Sequence, residues 1–222
     1  SVIHFSEKDL YKNQNLNNTY LKTKFEAEKL ILENINSGLD ACIFRMGNIS
    51  NRYSDSKFQI NVSENAFVNR IKSILKLKVL QEGFKAHATE FAPVDECAKA
   101  IIKIVQSNPK FTVFHIFNDN LISFEDMVKY LNELGIELNF VSDKDFAAKV
   151  KEFLKDPKLK DEISGIVTEL NSDKIFRLNA NILLDSNFTK LYLEKLGFKW
   201  PKINRKYIQN YIKYFQDINY FN

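Results

Sequence analysis

The sequence is poor in the residue types that mark many protein classes. Its 222 residues hold only two cysteines, three histidines, four prolines and six glycines. Cys42 and Cys97 each stand in an apolar stretch, so buried free thiols are expected rather than a disulfide. His4, His87 and His115 are widely scattered and give no metal-ligand spacing. The glycines nowhere gather into a phosphate-cradling loop. No stretch is long and apolar enough to span a membrane. The opening Ser1-Val-Ile-His-Phe-Ser6 has neither the basic region nor the apolar core of a secretory signal, and no initiator Met. A fragment or processed chain of a cytoplasmic protein is expected. Neither positive nor negative charge is in large excess, with 32 basic against 28 acidic residues and a net charge of +4. No basic run with interleaved aromatics occurs, so neither a nucleic-acid nor a membrane partner is expected.

What is abundant is core material. Hydrophobic residues make up 45% of the chain, and there are 19 Phe and 9 Tyr. That excludes disorder and suits one domain or two small ones. Residues 1–16 read as polar and irregular. Asn17 and Asn18 are good N-caps for a helix from Thr19 to about Asn36, with Gly38 in the position that ends it. Ala41–Phe44 reads as a short buried strand. Residues 47–59 read as a polar loop and 64–80 as a helix. Thr89–Asp95 is expected to be a strand handing over to a helix N-capped by Asp95. Residues 112–117 read as a strand, followed by a capping box at Ser123–Asp126 that opens a helix to Leu134. Residues 137–141 alternate as a strand. Helices are expected over 143–155, 158–170, 185–196 and 204–218. Strands alternate with helices first and helices then take over, which suggests an α/β body with a helical C-terminal cap.

The most informative segment is Tyr20-Leu-Lys-Thr-Lys24. A Tyr and a Lys four apart on a helix share one face. An ammonium held there favours loss of the phenol's proton and makes the phenol a usable proton donor. The pattern alone is weak, because composition gives roughly one such match by chance. A second match, Tyr53 and Lys57, flanks Ser-Asp-Ser, a loop composition that does not fix the pair. Structural readings compete: Lys24 could pair with Glu28, its i+4 neighbour, and Tyr20 could simply pack. His115, mid-strand among Val113, Phe114, Ile116 and Phe117, reads as a structural histidine. The aromatics from Tyr207 to Tyr214 read as packing. Lys144, Lys149, Lys151 and Lys155 read as a solvated helix face, with docking of an acidic carrier protein as the weaker alternative.

The order of segments changes the balance. Tyr20-x-x-x-Lys24 is followed by Ala27-Glu28 and an apolar helix, then Phe44-Arg-Met-Gly-Asn48. Glu90-Phe-Ala-Pro-Val-Asp95 precedes a helix, and Phe114-His-Ile-Phe-Asn118 and Ile122-Ser-Phe-Glu125 come after it. This succession resembles the extended short-chain dehydrogenase/reductases. Through Arg45-Met-Gly-Asn-Ile-Ser-Asn-Arg-Tyr-Ser-Asp-Ser-Lys-Phe-Gln59 it resembles the terminal thioester reductase domains of nonribosomal peptide synthetases. The resemblance implies an α/β fold, namely the C-terminal part of a Rossmann-like extended dehydrogenase with a mainly helical substrate-binding subdomain. Residues 1–59 would end the dinucleotide-binding body. Residues 60–222 would form the substrate-binding subdomain, with 95–117 returning to the Rossmann sheet.

The resemblance also implies roles. Tyr20 would protonate the carbonyl oxygen as hydride arrives. Lys24 would favour release of the Tyr20 proton and hydrogen-bond the nicotinamide ribose. The backbone of Gly47, Asn48 and Ile49 would border the nicotinamide of NADPH, where Gly permits close approach. The partner would be a phosphopantetheinylated carrier protein presenting a peptidyl or acyl thioester, which leaves as an aldehyde or, after a second round, an alcohol. The family's third catalytic residue, a Ser or Thr, and its dinucleotide fingerprint have no convincing counterpart in residues 1–16; Ser6 is too close to Tyr20. The alternatives are a fatty acyl-CoA reductase, a sugar-nucleotide epimerase, or a non-catalytic carrier-docking module. An epimerase needs Arg near a diphosphate, and the five Arg here are not clustered. A docking module has no need of the Tyr/Lys helix.

Overall fold

A computed structural model describes residues 3–178 and 182–221. Along the chain it runs β1 (Ile3–Phe5), α1 (Thr19–Asn36), β2 (Ile43–Met46), β3 (Ile49–Ser50), α2 (Ala66–Leu77), β4 (Val79–Gln81), β5 (Ala88–Thr89), β6 (Ala92–Pro93) and α3 (Val94–Gln106). It continues through β7 (Val113–Ile116), β8 (Ile122–Ser123), α4 (Phe124–Glu133), β9 (Asn139–Val141), α5 (Asp143–Lys155), α6 (Pro157–Glu162), α7 (Ser164–Val167), β10 (Ile182–Leu184), α8 (Asn187–Lys195) and α9 (Arg205–Asp217). Parallel pairing dominates: β1 with β10, β2 with β7, β3 with β6 and β4 with β9, whereas β5 and β8 are antiparallel. The fold is α/β, as the sequence predicts.

Local chemistry explains most boundaries. The Asn18 side chain accepts the Leu21 N–H at 3.2 Å and starts α1, while Gly38, at φ +103°, ends it in a conformation that a side chain resists. Ser123 Oγ accepts the Asp126 N–H at 3.0 Å and so caps α4 as expected, but the Asp126 carboxylate accepts from the Ser123 hydroxyl at 2.8 Å rather than from its backbone N–H, so the box is half made.

Several expectations need correction. The strand expected over Ala41–Phe44 lies at Ile43–Met46, where its register is set by pairing Ile43 with Val113 through Met46 with Ile116. Residues 1–16 are not wholly irregular, because Ile3–Phe5 pairs in parallel with Ile182–Leu184. The helix expected over 158–170 is broken into α6 and α7 around buried Ile163. There a Cβ on Gly165 would meet the Asn69 carbonyl oxygen at 2.4 Å, so glycine is what lets α7 lie against the backbone of α2. Cys97 is buried as expected, but Cys42 is only half-buried.

The chain divides into two compact units. The first comprises Ser1–Gly47, Cys97–Phe117 and Ala180–Lys199. Its interior is built on Phe114 and Ile116 of β7, Cys97, Ala100 and Ile104 of α3, and Leu193 of α8, all buried. Phe44 stacks on Phe114 with ring centroids 5.8 Å apart, and Phe188 and Tyr192 extend the cluster. The second comprises Asn48–Glu96, Asn118–Asn179 and Trp200–Asn222. Its core joins Val68, Ile71 and Ile74 of α2, Met127 and Leu131 of α4, Phe146 and Val150 of α5, and Ile208, Tyr211 and Phe215 of α9. Tyr207 to Tyr214 therefore pack on α9, as the sequence predicts.

Candidate functional site

Tyr20 and Lys24 lie in the first turns of α1, on one face. The Lys24 ammonium stands 5.5 Å from the centroid of the Tyr20 ring. Both border an open concavity of about 490 Å³ whose other walls are Ala27, Glu28 and Ile31 of α1 and Ile43–Met46 of β2. The helix-face placement expected from the i, i+4 spacing is thus realised, and the face is turned to the strand that leads into Gly47. Tyr20 is 66% exposed, and no residue of α1 is buried.

Glu28 does not pair with Lys24. It is taken by Arg45 on β2, whose Nε donates to the Glu28 carboxylate at 3.0 and 3.2 Å and whose Nη2 also donates to it. Arg45 further donates to the backbone carbonyls of Ser6 at 3.2 Å and Asp9 at 2.7 Å. A third contact runs from Arg45 Nη1 to Nε2 of His115 at 3.0 Å. Because Arg only donates, that nitrogen of His115 accepts, and its Nδ1–H donates to the Asp185 carbonyl at 3.0 Å. His115 is therefore a neutral, buried structural histidine. Burial holds its pKa below the ordinary value, with the Arg45 charge acting in the same direction against the opposing pull of Glu7 and Glu28. Lys24 has no ion-pair partner among the described residues.

The three backbone positions expected beside a nicotinamide follow β2 directly. Gly47 N–H donates to the Ile116 carbonyl at 3.0 Å. Asn48 N–H donates to the Glu90 carboxylate at 2.8 Å, and the Asn48 carbonyl accepts from Ala92 N–H at 2.9 Å. Ile49 begins β3 in register with Ala92. The other Glu90 oxygen accepts the Asn118 N–H at 2.8 Å. Glu90 is 4% exposed, and burial pushes its carboxyl up to about 7, against the two N–H groups that favour ionisation.

The second Tyr-x-x-x-Lys match is not helical. Arg52 N–H closes a turn on the Lys57 carbonyl, and the Tyr53 ring stacks on Tyr207 at 5.5 Å. Asp95, expected as an N-cap, is the second residue of α3. Its carboxylate accepts the N–H groups of Tyr53 at 2.7 Å, Ser54 at 3.1 Å and Glu96 at 3.1 Å. Burial works against its charge, but these donors win and hold its pKa below the ordinary value. On α5, Lys149 pairs with Glu152 at 3.0 Å and the face remains a solvated one. Among the described residues no cluster of His, Cys, Asp and Glu is placed to hold a metal, and no helix is long and apolar enough to cross a membrane.

Glu90 and the Arg45–Glu28 pair are the features that sequence reasoning passed over. Both had a faint signal: a carboxylate directly before Phe91-Ala-Pro93, and an arginine inside the apolar run of β2.

The family model described as Male sterility protein (NAD_binding_4), an NAD-binding family, matches residues 2–101. A thiolation-reductase di-domain from an archaeal nonribosomal peptide synthetase is 31% identical, with a TM-score of 0.85 over 99% of this chain and 45% of that one. The reductase domain of the aureusimine biosynthetic cluster has the same fold, at 24% identity and a TM-score of 0.79 over 99% of this chain and 56% of that one. The 3-methylorcinaldehyde synthase of Talaromyces stipitatus is 28% identical over 134 residues, which are 59% of this chain and 5% of that protein. The chain thus spans about half the length of the solved relatives and a small part of the fungal one.

Proposed function

We propose that this chain, which has the fold of an extended short-chain dehydrogenase/reductase, is the C-terminal portion of an NADPH-dependent thioester reductase. Its substrate is a peptidyl or acyl thioester on the phosphopantetheine arm of a carrier protein, released as aldehyde or alcohol. The observation that carries the reading is the shared placement of Tyr20 and Lys24 against β2, in a chain that is 31% identical along 99% of its length to a nonribosomal peptide synthetase reductase. NADPH rather than NADH, the carrier partner and a cytoplasmic setting are parts of the same proposal.

The residues suit the riboside half of a nicotinamide dinucleotide. A phenol and an unpaired ammonium face one open concavity, and Gly47 follows β2 directly. When bound, the cofactor supplies hydride to the thioester carbonyl carbon. Tyr20 holds the proton destined for the carbonyl oxygen, and general acid catalysis of this kind is worth about 10²–10⁴-fold. Lys24 would stabilise the phenolate left behind and would be the donor available to the ribose. Arg45 keeps Glu28 occupied, so that the Lys24 charge is not neutralised by its own helix neighbour. Gly47, Asn48 and Ile49 would supply backbone to border the nicotinamide.

The test is to supply the longer protein carrying this chain with NADPH and an acyl-pantetheine thioester. NADPH oxidation should accompany release of an aldehyde or alcohol seen by mass spectrometry. A folded protein that consumes no NADPH with any carrier-linked or pantetheine thioester would exclude this function.

A further inference from the structure

We propose that Glu90 is a positioning residue for the reduction: its carboxylate fixes the Asn48 peptide and thereby holds the Gly47–Ile49 backbone ready for the nicotinamide. This rests on the function proposed above. Two backbone N–H groups, from Asn48 and Asn118, converge on Glu90 at 2.8 Å each, one per oxygen. They come from positions 42 and 28 residues away in sequence. A carboxylate offers an acceptor on both oxygens, whereas a Gln of the same size offers an acceptor on one. Among the described residues Glu90 has no ion-pair partner, so its contacts are these two amides in an enclosed setting.

The consequence falls on Asn48. Its N–H is held by Glu90 and its carbonyl by Ala92, so the Gly47–Asn48 and Asn48–Ile49 peptides are each tied by one hydrogen bond. Gly47 is tied by its own N–H to Ile116, and Ile49 by the pairing of β3 with β6. A segment fixed in this way needs no reorganisation when a planar ring docks against it. Asn118 is itself anchored, since its side-chain amide donates to the Phe91 carbonyl at 2.9 Å. The clamp therefore has a fixed end and an end at the cofactor wall. Glu90 touches no reacting atom; it acts through Asn48.

Glu90→Gln is the discriminating variant. Gln keeps the shape but offers one acceptor oxygen, and its amide N–H₂ opposes the second backbone donor. In the longer reductase, E90Q should lower kcat by roughly 10–100-fold, the order expected when a reacting group is displaced by about 1 Å. The KM for NADPH should move less than about threefold, because the pyrophosphate is held elsewhere in this fold. The deuterium isotope effect from 4-deuterated NADPH should rise as hydride transfer becomes limiting. Unchanged kcat and isotope effect in folded E90Q, with an active wild type, overturn this proposal alone. A wild type inactive with every thioester removes the proposed function and this inference with it. Should E90Q not fold, the wild-type amide signals of Asn48 and Asn118 decide by NMR. They should titrate together with one midpoint, and independent or absent titration overturns the clamp.

Discussion

Arg45 holds Glu28 across from α1 to β2, and in doing so leaves Lys24 without the carboxylate that its own helix offers four residues on. A surface i, i+4 pair is worth only about 0.3–0.5 kcal/mol. The Arg45–Glu28 pair is largely enclosed, with both side chains under a fifth exposed, and Arg45 also satisfies two backbone carbonyls. The competition for Glu28 is therefore settled in favour of Arg45, and Lys24 stays available beside Tyr20.

Tyr20→Phe in the longer reductase should lower turnover by about 10²–10⁴-fold while leaving the KM for NADPH nearly unchanged, because only the proton is lost. Lys24→Ala should damage turnover and cofactor binding together. Tyr53→Phe and Lys57→Ala are the controls, since that pair lies in a turn. Steady-state kinetics of the four variants checks the assignment, and full activity in Tyr20→Phe would exclude it.

Arg45→Met should destabilise the chain by about 3–5 kcal/mol, the range for removing one partner of an enclosed ion pair. Denaturant unfolding measures it. Glu28 is then free to turn to Lys24, so residual turnover in the folded fraction should fall although no proposed catalytic residue is altered. A loss of stability with full turnover per folded molecule would show that Glu28 does not compete for Lys24.

The pH dependence of stability should carry the mark of Glu90. Its folded-state pKa is raised to about 7 from 4.5, so the native state binds the proton more tightly than the unfolded chain. The favourable contribution is fully present below about pH 4.5 and is lost as pH rises to about 7. At roughly 1.4 kcal/mol per unit the swing is on the order of 3 kcal/mol. His115 has the opposite sign: its pKa is lowered, so its contribution is present above about 6.5 and is lost on acidification. Comparing wild type with E90Q isolates the first effect. The stability difference between them should grow in favour of the wild type from pH 7 down to 4.5, and a difference that is flat across that range contradicts the burial argument.

How much of this was legible in the sequence depended on distance along the chain. The bounds of α1 followed from Asn18 and Gly38, and the Tyr20/Lys24 face from spacing alone, because both are local. The β1–β10 pair was missed because Ile3–Phe5 is too short to show alternation and its partner strand lies near the other end of the chain. The close approach of α7 to the Asn69 backbone, which Gly165 permits, joins segments far apart in sequence and leaves no local pattern. Glu90 escaped because its role lies in two amides supplied by remote segments, and no residue pattern around it records them.

The chain on its own should bind NADPH only weakly. Dinucleotide affinity in this fold comes largely from a Gly-rich turn and a helix N-terminus that hold the pyrophosphate, and no such glycine cluster occurs in these 222 residues. What the chain offers is Tyr20, Lys24 and the Gly47–Ile49 backbone on an open, solvent-facing surface. A hydrogen bond to a charged group is worth about 1.5–3 kcal/mol. Even the upper figure falls short of the roughly 4 kcal/mol that corresponds to millimolar binding. Within the described residues β2 pairs only with β7, so its other edge is open to added strand pairing and self-association at high concentration is expected. Calorimetric titration of NADPH into the isolated chain should show no saturable binding below millimolar. Micromolar affinity would mean that a complete cofactor site lies within these residues and that the division of labour proposed here is mistaken.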